Sequence, residues 1–444
     1  MTLRKLILRN ASVFILGIGV AVLGAGCGGQ KTGGTTAKTA AQTETPPPPP
    51  PPAPAAQKTA VLSTCAPATH TAATPYTYTT STALHPAAIT TDYGYLTVDI
   101  PVESVGIGIV LAGTNVNYKF IEHGIIFDLS TDCMTGPAGN VPFSFNHRDW
   151  SGDGLIDDDP GSLVNYQAPA LFFPNDGQQW VLPAGTYTFP VGSLNMALTA
   201  TESDTLTPTV YYMTPSAVVP TLKVNLWLVE GVKAGISSDA GVAADREIFG
   251  ATTYLKDIFQ NNANIAVNVA VTARYIAATG YAVLDTFSEI DTLVKSYPAA
   301  PTPDDAVNIF VVDSMGDQTS ASPIIPAGYI GLALGLPGPF LQEGTVVSGV
   351  LAEYQHDGNG ATLGSIITHE LGHYLGLYHT TQTNEKQTGF IGYDPIADTA
   401  VCSTTPLSTC ADKDNLMFPV EMGISPLKVT VEQGRVLRLN PVMK

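Results

Sequence analysis

The stretch His369-Glu-Leu-Gly-His-Tyr-Leu-Gly-Leu-Tyr-His379 determines most of what can be inferred about this chain. His369 and His373 are four residues apart, so on a helix their side chains lie on one face, about 6 Å apart along the axis. Gly376 can adopt a positive φ and end the helix, which would bring His379 to the same point. Three neutral imidazoles that leave one coordination position open are typical of a catalytic zinc site, because structural sites are closed by a fourth protein ligand.

Glu370 follows the first histidine directly, so its carboxylate is expected beside the open coordination position without being a ligand. A carboxylate in that place can act as a general base toward water. Residues 361–368 precede the motif with apolar side chains at helical spacing, which predicts that the motif lies on a helix. The alternative, that these are ordinary helix histidines, does not explain five fixed positions in eleven residues.

Length and composition indicate a mostly globular protein. The chain has 444 residues, which favours two domains, and 44% of them are hydrophobic. With 42 Gly, 34 Pro and only 13% charged residues, strands and ordered loops are favoured over long surface helices. The net charge is −18, and loss of a leader carrying Arg4, Lys5 and Arg9 would make it −21. Binding to nucleic acid or to anionic lipid is therefore not expected.

The N-terminus has the organisation of an export signal. Three basic residues precede the apolar run 11–26, which ends at Cys27 and is short for a membrane-spanning helix. Leu23-Gly-Ala-Gly-Cys27 resembles the bacterial lipobox, although Gly24 stands where that motif usually has Leu. The resemblance implies a signal peptide over 1–27, a lipidated Cys27, and attachment to the cell envelope, at an outer membrane or the cell surface. A plain secretory signal is the alternative.

Residues 28–60 are predicted to be a disordered, proline-rich spacer. They lack apolar periodicity and contain an uninterrupted proline run from Pro46 to Pro52. Such a run forms a stiff polyproline II rod of ~3.1 Å per residue, which would hold the folded part away from a membrane. A ligand for a proline-binding domain is the alternative.

Residues 61–217 have the pattern of an all-β sandwich that accompanies a second domain. Short β-branched and aromatic segments alternate with Gly, Pro, Asn and Asp. The predicted strands are 93–100, 106–111, 116–121, 179–189, 196–200 and 210–212.

An acidic stretch inside this region is a candidate calcium loop. It resembles the first nine positions of an EF-hand or dockerin loop, with Gly154 at the sharp turn. Pro160 stands where such loops normally carry their bidentate carboxylate. A solvated acidic turn is therefore the alternative. The candidate Ca²⁺ ligands are Asp149, Ser151, Asp153, Leu155 (through its carbonyl) and Asp157.

Residues 218–444 alternate between strand and helix patterns, which predicts an α/β domain with a twisted mixed sheet. Thr430 and Gln433 have the spacing of a helical capping box. Strands are predicted at 221–228, 265–271, 306–312, 330–334 and 348–354, and helices at 243–259, 284–295 and 430–438 besides the histidine-bearing helix.

The same region resembles the metzincin metallopeptidases, whose signature is the extended zinc motif followed by a tight turn carrying a methionine beneath the metal. Asp414-Asn-Leu-Met-Phe-Pro419 fits that turn and makes Met417 the candidate. Gly376–Thr380, Asp394–Thr399 and Cys402…Cys410 are similar to the pappalysin-type branch. The resemblance implies a metzincin-like fold for 218–444, in which strand 330–334 would bind an extended peptide.

These features predict a zinc-dependent endopeptidase with one catalytic Zn²⁺, in which Glu370 activates a water held at the metal. Protein or peptide substrates and a monomeric state are expected. One alternative is a catalytically silent surface adhesin or calcium-binding module on the same scaffold. Another is a structural metal domain, for which His356 is the nearest spare histidine in the sequence.

Four cysteines remain if Cys27 carries lipid, an even number that favours disulfides in an exported protein. Proximity favours Cys402–Cys410 and leaves Cys65–Cys133, while a latency role for Cys133 as a zinc-capping thiolate is the alternative. The segment between His379 and Met417 is predicted to be a loop pinned by the Cys402–Cys410 bridge, or by calcium at Asp394 and Asp398. A floppy insertion is the alternative.

Overall fold

The computed structural model places much of the chain from residue 78 onward. The predicted leader, spacer and calcium loop (Asp149–Asp157) lie outside the described residues, as do Cys27, Cys65, Cys133 and Cys402. Within the described part, no helix is both long and apolar enough to cross a membrane. The described residues are 78–115, 118–121, 135–137, 139–140, 164–166, 168–175, 177, 179, 181–194, 201–296, 305–316, 329–342, 344, 348–380, 382–383, 390–391, 396, 398–399, 409–419 and 427–444.

The described residues before 217 form two antiparallel sheets. Their strands are β1 (Tyr78–Leu84), β2 (Ile89–Thr91), β3 (Tyr93–Ile100), β4 (Gly106–Gly113), β5 (Tyr118–Ile121), β6 (Thr135–Gly136), β7 (Gly139–Asn140), β8 (Val164–Tyr166), β9 (Ala170–Phe173), β10 (Gly185–Leu194) and β11 (Asp204–Ser216). The first sheet has the order β1-β11-β4-β9, with β2 beside β11. The second has the order β7-β6-β10-β5-β8, with β3 beside β10.

These two sheets pack face to face around a common core. Leu96 and Val98 of β3 alternate with exposed residues and point inward, together with Phe189 of β10. They join Ile107 and Ile109 of β4, from the other sheet, in one buried cluster. Alternation of this kind buries one face of each sheet, so the predicted β-sandwich is observed in this part of the chain.

The described residues after 217 form a mixed sheet of five strands, in the order β13-β12-β15-β18-β17, with helices around it. Neighbours are parallel except for β17, which lies antiparallel to β18 at one edge. The strands here, including two small pairs, are β12 (Thr221–Val229), β13 (Asn268–Ile276), β14 (Val283–Leu284), β15 (Val307–Val312), β16 (Ser314–Met315), β17 (Gly331–Ala333), β18 (Val350–Glu353), β19 (Gln382–Thr383) and β20 (Phe390–Ile391). The helices are α1 (Asp239–Ala244), α2 (Arg246–Phe259), α3 (Phe287–Ser296), α4 (Ala361–Tyr374) and α5 (Val431–Leu439).

Some predicted elements differ from the structure, among them the strand expected at 210–212, which extends over Asp204–Ser216 as β11. The single helix expected over 243–259 is two helices, α1 and α2, because the Asp245 side chain accepts hydrogen bonds from Glu247 N and Ile248 N and begins a new helix. The strand expected from residue 179 begins only at Gly185. The strand expected at 265–271 occupies 268–276. The predicted strand 196–200 lies outside the described residues.

The β-sandwich and the mixed-sheet region share a core. The rings of Tyr211 in β11 and Phe340 meet edge to face, 5.4 Å apart. Thr79 Oγ1 donates to the carbonyl of Arg438 at 2.7 Å, and Ser81 Oγ donates to the carbonyl of Pro441 at 3.0 Å. Contacts of both kinds, apolar and hydrogen-bonded, are lost if either part unfolds. We therefore expect the two parts to unfold together.

Phe340→Ala should test this expectation. The fully buried ring touches both parts, so its removal should lower the free energy of unfolding by about 3–5 kcal/mol and keep a single transition, measured by denaturant titration with two probes. Phe249→Ala is the matched control, because Phe249 is 68% exposed and should change stability by no more than about 0.5 kcal/mol. Two separate transitions in the wild-type protein would contradict the shared core.

Candidate metal centre

Helix α4 carries the first two histidines of the motif in a fully buried position. All its residues from Leu363 to Tyr374 are buried. The helix begins after Gly360, which has φ 73°, and a Cβ at Gly360 would lie 2.0 Å from the carbonyl oxygen of Glu247. Asp357 accepts hydrogen bonds from Gly360 N and from Thr362 N at 2.7 and 2.9 Å, and so provides the cap that the glycine cannot.

The end of α4 confirms the predicted turn at Gly376. This residue has φ 106°, and its N–H donates to the carbonyl of His373 at 2.8 Å. Leu377 N donates to the carbonyl of Gly372 at 2.9 Å, and these two hydrogen bonds end the helix at the positive-φ residue Gly376. The chain is thereby reversed, so that His379 faces the two helix histidines.

The three histidine side chains converge on one point. The Nε2 atoms of His369 and His373 are 3.0 Å apart, those of His369 and His379 are 3.1 Å apart, and those of His373 and His379 are 3.0 Å apart. Nitrogens bound to a common tetrahedral ion at 2.0–2.1 Å lie about 3.3 Å from one another. The observed triangle is within a few tenths of an ångström of that spacing, so these residues fit a metal ion.

Backbone carbonyls set the tautomer of the two helix histidines. His369 Nδ1 lies 2.7 Å from the carbonyl oxygen of Leu416, and His373 Nδ1 lies 2.7 Å from that of Leu377. A carbonyl oxygen only accepts, so each Nδ1 carries the proton and each Nε2 presents a lone pair to the other histidines. This is the arrangement of supporting hydrogen bonds found around metal-binding histidines.

The surroundings also keep these imidazoles neutral. Burial, together with the nearby His379, lowers the pKa of His369 to about 3. Burial places the pKa of His373 well below its ordinary value, with added repulsion from His379 and His369. Neutral imidazole is the form that binds metal, so the centre is ready for a cation at neutral pH. Among the described residues, these three histidines are the one cluster of this kind.

Glu370 is fully buried beside His369 and packs against the edge strand of the mixed sheet. A Cβ at Gly331 of β17 would lie 2.6 Å from both Cγ and Oε1 of Glu370, so this position admits only glycine unless the carboxylate moves. The carboxylate therefore lies between α4 and β17. Its role as a general base stays a prediction.

Met417 lies directly beneath the helix that carries the histidines. Its side chain is fully buried, and a Cβ at Gly372 would lie 2.5 Å from its sulfur. Its carbonyl oxygen accepts a hydrogen bond from Thr380 N, one residue after His379. The structure thus brings together the three predicted ligands, Glu370 and Met417.

Some contributors to the centre were not predicted. The carbonyls of Leu416 and Leu377 have no side-chain signature in a sequence, because any residue supplies one. Thr380 Oγ1 donates to Asp412 Oδ2 at 2.6 Å and fixes the chain after the last histidine, a pair separated by 32 residues. His356 lies away from the centre, with its ring against Tyr354, so it is no fourth ligand.

Several predicted site residues are not placed. Cys410 is buried and disulfide-bonded, but every other cysteine lies outside the described residues, so the predicted Cys402–Cys410 and Cys65–Cys133 bridges stay predictions. The proposed latency role of Cys133 and the calcium ligands around Gly154 are likewise outside the described residues.

Comparisons with known proteins identify no family. No protein-family profile matches the sequence, and no curated protein matches it. Metalloproteinase-II from Bacteroides fragilis is similar over 43% of this chain at 15% identity and a TM-score of 0.27, and the chain spans 57% of the length of that structure. A family two carbohydrate esterase from Cellvibrio japonicus is similar over 53% of this chain and 67% of its own at 10% identity and a TM-score of 0.12. At scores this low, neither structure indicates the fold or the function of this chain.

Removing one ligand tests the centre. Wild-type protein dialysed against Zn²⁺ should retain about one ion per chain by elemental analysis, and His373→Ala should retain none, because two imidazoles hold the ion too weakly. His356→Ala is the matched control, since its side chain is 60% exposed and outside the centre, and should bind like wild type. Wild-type protein that retains no metal would contradict the assignment.

Proposed function

We propose that this chain is a zinc-dependent endopeptidase with a metzincin-like domain over residues 218–444. The observation that carries the proposal is the triangle of three buried histidine Nε2 atoms about 3 Å apart, in which backbone carbonyls fix the tautomers of His369 and His373. Within the motif, Glu370 supplies a carboxylate next to a ligand, which a purely structural zinc site does not require. His369, His373 and His379 would hold the ion.

Bound zinc would lower the pKa of a water and polarise a peptide carbonyl. The chain's own contribution begins at Glu370, whose buried carboxylate would accept the proton from the attacking water. The resulting carboxylic acid would then donate that proton to the leaving amine. Burial between α4 and β17 excludes bulk water from this exchange and holds the carboxylate in one place.

Strand β17 is the proposed substrate-binding edge. It ends the order of the mixed sheet and pairs on one side with β18, from Gly331↔Ala352 to Ala333↔Val350. An extended peptide could add to its outer side through backbone hydrogen bonds. Gly331 packs against Glu370, so a peptide bound along this strand would lie close to the proposed base.

Glu370→Gln separates catalysis from metal binding. The amide keeps the shape of the side chain but cannot accept the proton, so cleavage of casein should fall by about 10²–10⁴-fold while bound zinc stays near one per chain. Glu202→Gln, which makes the same change at an exposed position, should cleave like wild type. Zinc-loaded wild-type protein without peptidase activity would instead favour the alternative of a silent adhesin on this scaffold.

We also propose that the protein is anchored to the bacterial cell envelope through a lipid on Cys27. The basic residues, apolar run and lipobox-like Leu23–Cys27 support this proposal, and the spacer 28–60 would give the folded part reach from the membrane. Protein or peptide substrates at the envelope would then be within reach of a monomeric enzyme.

Cys27→Ser should test the anchor. Without a thiol to acylate, the protein should move from the membrane fraction to the soluble fraction of fractionated cells, detected by immunoblotting. Cys410→Ser is a control for the loss of a cysteine as such, because it leaves residue 27 intact and should not release the protein. Unchanged membrane fractionation of Cys27→Ser would rule out the lipid.

A further inference from the structure

The backbone carbonyl of Leu416 is the hydrogen-bond partner of the Nδ1 atom of one proposed zinc ligand, so its position matters to the metal centre. It accepts from His369 Nδ1 at 2.7 Å, while Leu416 N donates to the carbonyl of Lys428 at 2.7 Å. The backbone of Leu416 is thus held at both its carbonyl and its N–H, and a rotation of the Leu416–Met417 peptide unit would turn the His369 ring. Outer hydrogen bonds of this kind orient ligands and affect metal affinity.

Asn415 fixes this peptide from the preceding position. Its Oδ1 accepts from Met417 N at 2.8 Å, which bends the backbone around Leu416 into a turn. The same amide forms two hydrogen bonds with Gln433: Nδ2 donates to Gln433 Oε1, and Oδ1 accepts from Gln433 Nε2, both at 3.1 Å. Asn415 is 6% exposed and Gln433 is fully buried, so little water competes for these bonds.

Gln433 in turn belongs to the first turn of helix α5. Its Oε1 also accepts from Thr430 N, and its own N–H donates to Thr430 Oγ1, which forms the capping box. Helix α5 packs so tightly that a Cβ at Gly434 would lie 2.0 Å from the carbonyl oxygen of Asn264. A rigid helix therefore holds the Gln433 amide in place.

We infer that Asn415 and Gln433 are positioning residues of the metal centre, whose paired amides transmit the fixed position of α5 through Leu416 to the ring of His369. This inference rests on the proposed zinc site. A simpler role would be stabilisation of α5 alone. The two roles predict different results. Only a positioning role makes the rate of zinc exchange depend on the Asn415–Gln433 pair while the Thr430 cap of α5 is intact.

The experiment compares three variants of the full chain. Asn415→Leu removes all three side-chain hydrogen bonds, whereas Asn415→Asp keeps the acceptor for Met417 N and loses the donor to Gln433. Thr430→Ala is the matched control: it removes the hydroxyl that caps α5 but leaves the paired amides and the Thr430 N–H. The readout is the rate of zinc transfer to a chromophoric chelator, at a temperature well below each variant's melting point.

Zinc transfer should be about tenfold faster for Asn415→Leu and less affected for Asn415→Asp. Thr430→Ala should melt at a lower temperature and exchange zinc at the wild-type rate. Equal acceleration in Thr430→Ala, or a wild-type rate in Asn415→Leu, would overturn the inference. If Asn415→Leu does not fold, a wild-type rate in Asn415→Asp overturns it. Wild-type protein that binds no zinc would refute the proposed function itself, a separate result obtained before any variant is compared.

Discussion

The hydrogen bonds from histidine Nδ1 atoms to backbone carbonyls are the constraint on which the rest of the site depends. The carbonyl that holds His373 belongs to Leu377, at the end of the same helix, and is provided by local structure alone. The carbonyl that holds His369 belongs to Leu416, 47 residues away, and requires the turn at Met417 and helix α5. One ligand is thus oriented by the helix and the other by the packing of the C-terminal region.

This difference explains what the sequence could predict. The helix, its end at Gly376, the three ligands and the Thr430 capping box depend on contacts within about ten residues, so spacing and residue type suffice to predict them. The Leu416 carbonyl and the Asn415–Gln433 pair depend on segments that meet only in the folded chain, and any residue has a carbonyl. The separation of α1 from α2 at Asp245 was missed because aspartate is also tolerated within helices.

The same distinction applies to the two halves of the fold. Apolar residues alternate with polar ones at the end of β3, as in a half-buried strand, and β15 is apolar almost throughout, as in a central strand. The β-sandwich and the mixed sheet were therefore predictable as classes. The core that the two parts share was not predictable from the sequence. Phe340 follows the edge strand in a loop, where an apolar residue has no periodic pattern, and only the structure shows its ring against Tyr211.

The Nε2 lone pairs of His369 and His373, 3.0 Å apart, repel one another unless a cation lies between them. His369 does not take up a proton there at neutral pH, because burial and the nearby His379 lower its pKa to about 3. The fold therefore holds the histidines in an arrangement that a metal ion stabilises, and the free energy of metal binding adds to that of folding. Helix α5 supports both the turn at Leu416 and the contact between Arg438 and the β-sandwich. The free energy gained by metal binding therefore stabilises both parts of the fold.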